Sequence, residues 1–182
     1  MVNSKAKRIS VRGMVFSAML AALTAVGAFI AIPIGPVPIT AQTLFVHLSG
    51  TLLGSRLGAL SQFIYVLVGV IGLPVFHGGG SGLGHLLGPT GGYLIGFIVG
   101  GGYLTGKLVE IKKKPGFGWI VLACVAGLIG IYVLGVAHLS LVADLPLRKA
   151  IAGGVVPFLT GDAIKIVAAT FITLKLRGMI KV

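Results

Sequence analysis

Asp162 and Lys165 carry the strongest chemical signal in this 182-residue chain, in the run Pro157-Phe158-Leu159-Thr160-Gly161-Asp162-Ala163-Ile164-Lys165. Both fall about halfway along an apolar stretch, where a charge at a helix centre costs about 2.5–3.5 kcal/mol on insertion scales. Spacing i,i+3 puts them on one helix face, so that each partly neutralises the other. Buried pairs seldom add net stability, and a pair kept at this depth therefore points to a ligand or ion site. Pro157 and Gly161 loosen the backbone hydrogen bonding beside it, as in helices that line cavities. From the residues alone, three uses stay open: capture of a small molecule, intramembrane enzyme chemistry on a lipid through Asp162 and a histidine, or structural glue in a small channel or assembly protein.

Other chemical motifs carry less. Gly101-Gly102-Tyr103-Leu104-Thr105-Gly106-Lys107-Leu108 satisfies the G-x-x-x-x-G-K part of a phosphate loop. It lacks the following Ser/Thr and ends a hydrophobic helix instead of following a strand, so it reads as a helix end whose lysine reaches the interface. His47, His77, His85 and His138 include no i,i+4 pair, which gives a metal site little support. His77 and His85 flank a glycine-rich loop, where they could hydrogen-bond a ligand. The lone Cys124 excludes an intrachain disulfide, and no nucleophile triad is evident. Of the three uses enzyme chemistry is the least supported by local motifs, and the expectation is no enzyme and no resident metal or cofactor.

The elements that must position the pair follow from composition. The chain is 56% hydrophobic and 10% charged, against about 25% charged in soluble domains. It is read as an all-α integral membrane protein forming a single transmembrane domain. Spans are expected near 14–32, 41–55, 57–73, 90–109, 118–139 and 150–174, the second and third as a tight hairpin turning at Arg56. A basic preface (Lys5, Lys7, Arg8, Arg12) makes the first a retained signal-anchor helix. The 15 Lys+Arg outnumber 3 Asp+Glu. Twelve of the cations fall at the N-terminus, Arg56, residues 107–114 and the C-terminus; Arg148 and Lys149 fall on the other side, and Lys165 lies within a span. The positive-inside rule then places both termini in the cytoplasm. The outer loops at 33–40, with Pro33, Pro36 and Pro38, and at 74–89, rich in glycine, hold no charge and are expected to fold down as a lid over a cavity. Small residues four apart (Ala18 and Ala22, Ala21 and Ala25, Gly50 and Gly54, Gly96 and Gly100) mark close helix packing or, on the first helix, a docking face.

Several segments together resemble the BioY family: Pro38-Ile39-Thr40-Ala41-Gln42-Thr43, Gly72-Leu73-Pro74-Val75-Phe76, Gly88-Pro89-Thr90-Gly91-Gly92-Tyr93-Leu94 and Gly161-Asp162-x-x-Lys165. BioY proteins are the biotin-specific S components of energy-coupling factor (ECF) transporters. The resemblance implies a six-helix bundle in a prokaryotic cytoplasmic membrane that captures biotin in a loop-capped cavity. It also implies a transmembrane coupling protein and two ABC-type ATPases as partners, docked on an A-x-x-x-A face at Ala18 and Ala22. Biotin's cyclic urea suits the ion pair: Asp162 accepts from its N–H groups and Lys165 donates to its carbonyl. Gln42, Thr43, Thr90 and Tyr93 are expected to complete the shell. The stretch Gly78-Gly79-Gly80-Ser81-Gly82 departs from the family in holding no basic residue, which leaves the biotin carboxylate to backbone N–H groups near Gly79, to Ser81, to water, or to Lys165 if the ligand enters inverted.

Overall fold

The structure is a computed structural model that describes residues 10–33 and 37–180. Helix α1 (Val11–Phe29) opens at Ser10, whose Oγ accepts a hydrogen bond from the Gly13 N–H at 3.0 Å. The chain then forms a two-residue antiparallel ribbon, β1 (Ala31–Ile32) on β2 (Ile39–Thr40), with Ala31 opposite Thr40. Residues 34–36, with part of the proline-rich turn, lie outside the described residues, as do Lys5, Lys7, Arg8 and Lys181. Helices α2 (Gln42–Leu53) and α3 (Ser55–Val70) follow, joined at Gly54. The hairpin was expected to turn at Arg56. It turns two residues earlier because Gly54 takes φ 82°, a conformation glycine adopts without strain, and Arg56 is an exposed residue of α3.

Beyond α3 lie a 3-10 turn (His77–Gly79), α4 (Leu83–Leu87) and α5 (Gly91–Gly96). Helix α5 runs without a break through a π-helical stretch (Phe97–Leu104) into α6 (Thr105–Glu110). The phosphate-loop-like run is therefore helical throughout. The last elements are α7 (Phe117–Val142), α8 (Leu147–Gly154), a 3-10 turn (Val156–Phe158) and α9 (Leu159–Leu176).

Among the described residues, four stretches are long and apolar enough to cross a membrane: Val11–Phe29, Gly91–Glu110, Phe117–Val142 and Leu147–Leu176; Ser55–Val70 is a shorter apolar helix. The second expected span, already short in the sequence at 41–55, is 12 residues of helix. At 1.5 Å per residue that is about 18 Å, against a hydrocarbon core of about 30 Å. It can be short because protein surrounds it: residues 46–55 are all buried. Gly50 and Gly58 make this close fit possible. A Cβ on Gly50 would stand 2.5 Å from the Gly101 carbonyl oxygen, and one on Gly58 2.8 Å from that of Gly102. Gly96 and Gly100 likewise press on Ile131 and Gly127 of α7.

Side chains are distributed as lipid demands. Val15, Leu122, Ile129, Val133, Ile164 and Phe171 face outward, while Ser17, Thr24, Ser49, Gln62, Thr105 and Thr173 are buried. With apolar tails outside, helices gain little from burying apolar faces and are held by close contact and polar bonds. Gln62 Nε2 donates to Thr24 Oγ1 (3.3 Å) and Ser49 Oγ (3.1 Å), and the Thr51 and Thr173 hydroxyls meet at 2.7 Å.

The sixth expected span departs most from expectation. It breaks between Gly154 and Leu159, where Pro157 supplies no N–H and the chain tightens into a 3-10 turn. Asp162 accordingly lies in the first turn of a new helix, not halfway along a continuous one. There the helix dipole favours a carboxylate, lowering the cost of burying it.

Candidate functional site

The break in the last span aims Asp162 into a cavity between α2, α5, α7 and α9, and the outer loops close its top. Asp162 is 2% exposed. Its Oδ1 accepts from Thr43 Oγ1 at 2.7 Å and from Lys165 Nζ at 2.8 Å, and its Oδ2 accepts from Tyr132 OH at 2.6 Å. An ionised carboxylate offers about four acceptor positions, so about one stays available; an ammonium has three N–H donors, so about two of those on Lys165 are uncommitted. The cluster can thus accept one N–H and donate to one carbonyl or carboxylate oxygen.

The expected shell divides on inspection. Asp162, Lys165, Gln42, Thr43, Thr90 and Tyr93 all line the cavity. Two of them have already committed their polar tips to the protein. Gln42 Nε2 donates to Tyr65 OH (2.6 Å) and its Oε1 accepts from Thr40 Oγ1 (3.0 Å), while Tyr93 OH donates to the Gly154 carbonyl (2.8 Å). These two residues brace the wall and offer a ligand mainly carbon surface. Gly79 and Ser81 are not among the lining residues. Gly79 sits in the loop at φ 76° and Ser81 is exposed, so this segment turns at the surface instead of dipping its tip inward.

What the loop does send inward is Phe76, His77 and His85. Phe76 is fully buried, stacked on His85 (centroids 4.9 Å apart, 20° between planes) and edge-on to Tyr65 (5.7 Å, 85°). His77 Nδ1 and His85 Nε2 are 3.0 Å apart, sharing a hydrogen bond. Burial pushes both imidazoles below the ordinary histidine range, and at His85 a charge on His77 pushes further the same way. The expected lid is therefore present, and its polar element is a histidine pair instead of a glycine backbone. His138, on α7, fastens the end of that lid through Nε2 to the Gly88 carbonyl at 3.0 Å.

The cavity so formed has two polar poles, Asp162–Lys165–Tyr132–Thr43 and His77–His85. Tyr65, Phe76, Phe97, Ile131 and Phe158 supply apolar wall. Its free volume is about 60 Å³, below the ~300 Å³ at which ordinary ligand pockets begin. Admitting a ligand of vitamin size therefore requires the loop side chains to move outward. Sequence reasoning missed Tyr132 and Tyr65 as members of the site, because a tyrosine in an apolar helical run looks the same whether it faces a cavity or a core. The spacing of His77 and His85, eight residues apart across a loop, likewise gave no sign of their contact. Ala18 and Ala22 lie away from this cavity, on α1, beside an apolar groove lined also by Ala21, Ala25, Ile64 and Val68.

A helical membrane protein with a loop-capped cavity and a buried ion pair at its wall is built as a substrate-capture protein. Residues 3–182 match the BioY family, and the chain belongs to that family. It is 47% identical to the biotin transporter BioY of Thermotoga maritima, over 92% of this chain and 97% of that protein. It is 40% identical to the probable biotin transporter BioY of Pyrococcus horikoshii, over 96% and 98% of the two chains. Among solved structures, it superposes on the crystal structure of the S-component for biotin from an ECF-type ABC transporter with a TM-score of 0.84, at 31% identity and 92% coverage of each chain. Membership in this family makes it a multi-pass membrane transporter protein of the prokaryotic type.

Proposed function

We propose that this chain captures biotin from outside the cytoplasmic membrane and delivers it inward as the S component of an ECF transporter. The observation that carries this reading is the match between ligand and cavity: biotin has a polar cyclic urea, a carboxylate and carbon between them, and one cavity is lined by the Asp162–Lys165 pair, the His77–His85 pair and apolar side chains. The urea belongs at the ion pair, where Asp162 accepts an N–H and Lys165 donates to the carbonyl. The valerate chain then runs along Phe97, Ile131 and Phe158 toward His77 and His85, whose imidazoles replace the missing basic residue as carboxylate partners. A neutral pair keeps the empty cavity uncharged at its mouth, and an arriving carboxylate favours a proton there.

Energy comes, in this reading, from a coupling protein and two ABC-type ATPases, with the alanine groove of α1 at Ala18 and Ala22 as the docking face. Both termini face the cytoplasm, by the distribution of cations. No cofactor is required, because nothing is chemically changed. Calorimetric titration of the purified protein with biotin tests the reading: saturable sub-micromolar binding at one site per chain is expected. Equal or tighter binding of another vitamin, with biotin inert, would replace biotin with that ligand while keeping the transport role.

A further inference from the structure

A second cavity, of about 310 Å³, lies at the opposite end of the bundle, between the loop that precedes α7 and the end of α9. Its walls include Lys113, Lys114 and Arg177, with Pro115, Ile120 and Leu174 as apolar floor. None of the three cations forms an ion pair among the described residues, although the Glu110 carboxylate acts on Arg177 from a longer distance. Among the described residues the only ion pair is Lys165 with Asp162. Glu110, the nearest acid in sequence, accepts from the Ser55 N–H through Oε1 at 2.9 Å and from Ser55 Oγ through Oε2 at 2.8 Å.

The neighbours hold this arrangement in place. Arg177 donates from Nη1 to the Thr51 carbonyl at 3.2 Å, which anchors the guanidinium and leaves other N–H groups free. Lys112 is drawn aside over the Trp119 ring, 4.1 Å from its centroid, so the run of three lysines sends two to the cavity and one to the aromatic face. Helix α7 begins between these groups, at Gly116, without a side-chain cap, so its first N–H groups and positive dipole end face the same region.

Two lysines alone would be explained by topology, since cations gather on one side of a membrane protein. A part-buried, anchored arginine beside the two exposed lysines, in an open recess with apolar walls, is a different object. Guanidinium binds phosphate oxygens through paired N–H groups, and basic pockets between transmembrane helices suit anionic lipid head groups. We infer that this cavity holds the phosphate of an anionic phospholipid, with its glycerol and first acyl carbons against Ile120 and Leu174. The site is independent of the ligand cavity and of biotin.

Detergent-solubilised protein titrated with short-chain phosphatidylglycerol, and followed by thermal unfolding and native mass spectrometry, tests this. Phosphatidylglycerol is expected to bind and raise the unfolding midpoint, while phosphatidylcholine of the same chain length and potassium phosphate at the same concentration do not. The variant Lys113→Gln/Lys114→Gln, which leaves the Arg177 anchor intact and so protects folding, should weaken phosphatidylglycerol binding about tenfold, about 1.4 kcal/mol. Adding Arg177→Gln should remove the effect. A charge-matched control, Arg56→Gln/Lys107→Gln/Lys175→Gln, removes exposed cations outside the cavity and should leave binding essentially unchanged. Equal losses in the control and in the cavity variants would overturn the site in favour of bulk charge attraction. A full response to inorganic phosphate alone would overturn the lipid as its occupant.

Discussion

Neutralising the ion pair in three steps separates a ligand site from structural glue. Asp162 accepts three hydrogen bonds at 2.6–2.8 Å, and bonds to charged groups are worth about 1.5–3 kcal/mol each. Asp162→Asn keeps the shape but removes the charge, places a donor where Tyr132 or Lys165 already donates, and strands the Lys165 ammonium. Breaking a buried pair from one side costs about 3–5 kcal/mol, so the unfolding midpoint should fall clearly. Biotin loses one charge-assisted bond, which converts to about 10- to 150-fold weaker binding. Lys165→Met should behave comparably, stranding the carboxylate instead. In the double variant Asp162→Asn/Lys165→Met no charge is left unpaired, and replacing both partners of a buried pair is often neutral or stabilising. Its midpoint should therefore recover toward wild type while biotin affinity stays lost. Thermal unfolding and isothermal titration calorimetry on the four proteins complete the cycle. Affinity that recovers in step with stability would refute direct contact, because the pair would then act on the ligand only through the fold.

Three further outcomes follow from the same geometry. Because burial holds His77 and His85 below the usual histidine range, the empty protein binds no proton there near neutrality; a bound carboxylate raises that affinity for protons, so biotin should bind more tightly as pH falls from 7.5 toward 5.5. Biotinamide should show no such rise, and an identical slope for the two ligands in pH-resolved calorimetry would remove the histidine pair from the carboxylate. Tyr132→Phe deletes one of three donors to Asp162 and should both lower the unfolding midpoint and weaken biotin about tenfold, read from thermal unfolding and the same titration. His47 is fully buried with neither ring nitrogen bonded to protein, on the stripe of α2 between Thr43 and Thr51, so His47→Leu should raise the unfolding midpoint and spare affinity; loss of biotin binding would show that the ring serves the site.

Sequence by itself was enough to reveal an all-α membrane protein and the charged pair within it. These follow from sums and spacings. Apolar runs set helices, a charge within such a run is costly wherever it points, and i,i+3 is a fixed geometry on one helix. Motif resemblance added Gln42, Thr43, Thr90 and Tyr93, which indeed line one cavity.

What tertiary structure alone decided concerns direction and partnership. Hydropathy marked the second segment as short but not why that is tolerated: protein surrounds α2, and burial relieves a helix of matching the bilayer. Nor did it show that Pro157 and its neighbours start a new helix, which gives Asp162 a helix N-terminus in place of a mid-span position. Tyr132 meets Asp162 across 30 residues and Thr43 meets it across 119, and only packing brings such groups within hydrogen-bond reach. Packing also commits Gln42 and Tyr93 to bracing and turns His77 and His85 inward while Gly79 and Ser81 turn out. A sequence lists the groups able to donate and accept; which of them remain uncommitted depends on neighbours that only the folded chain supplies.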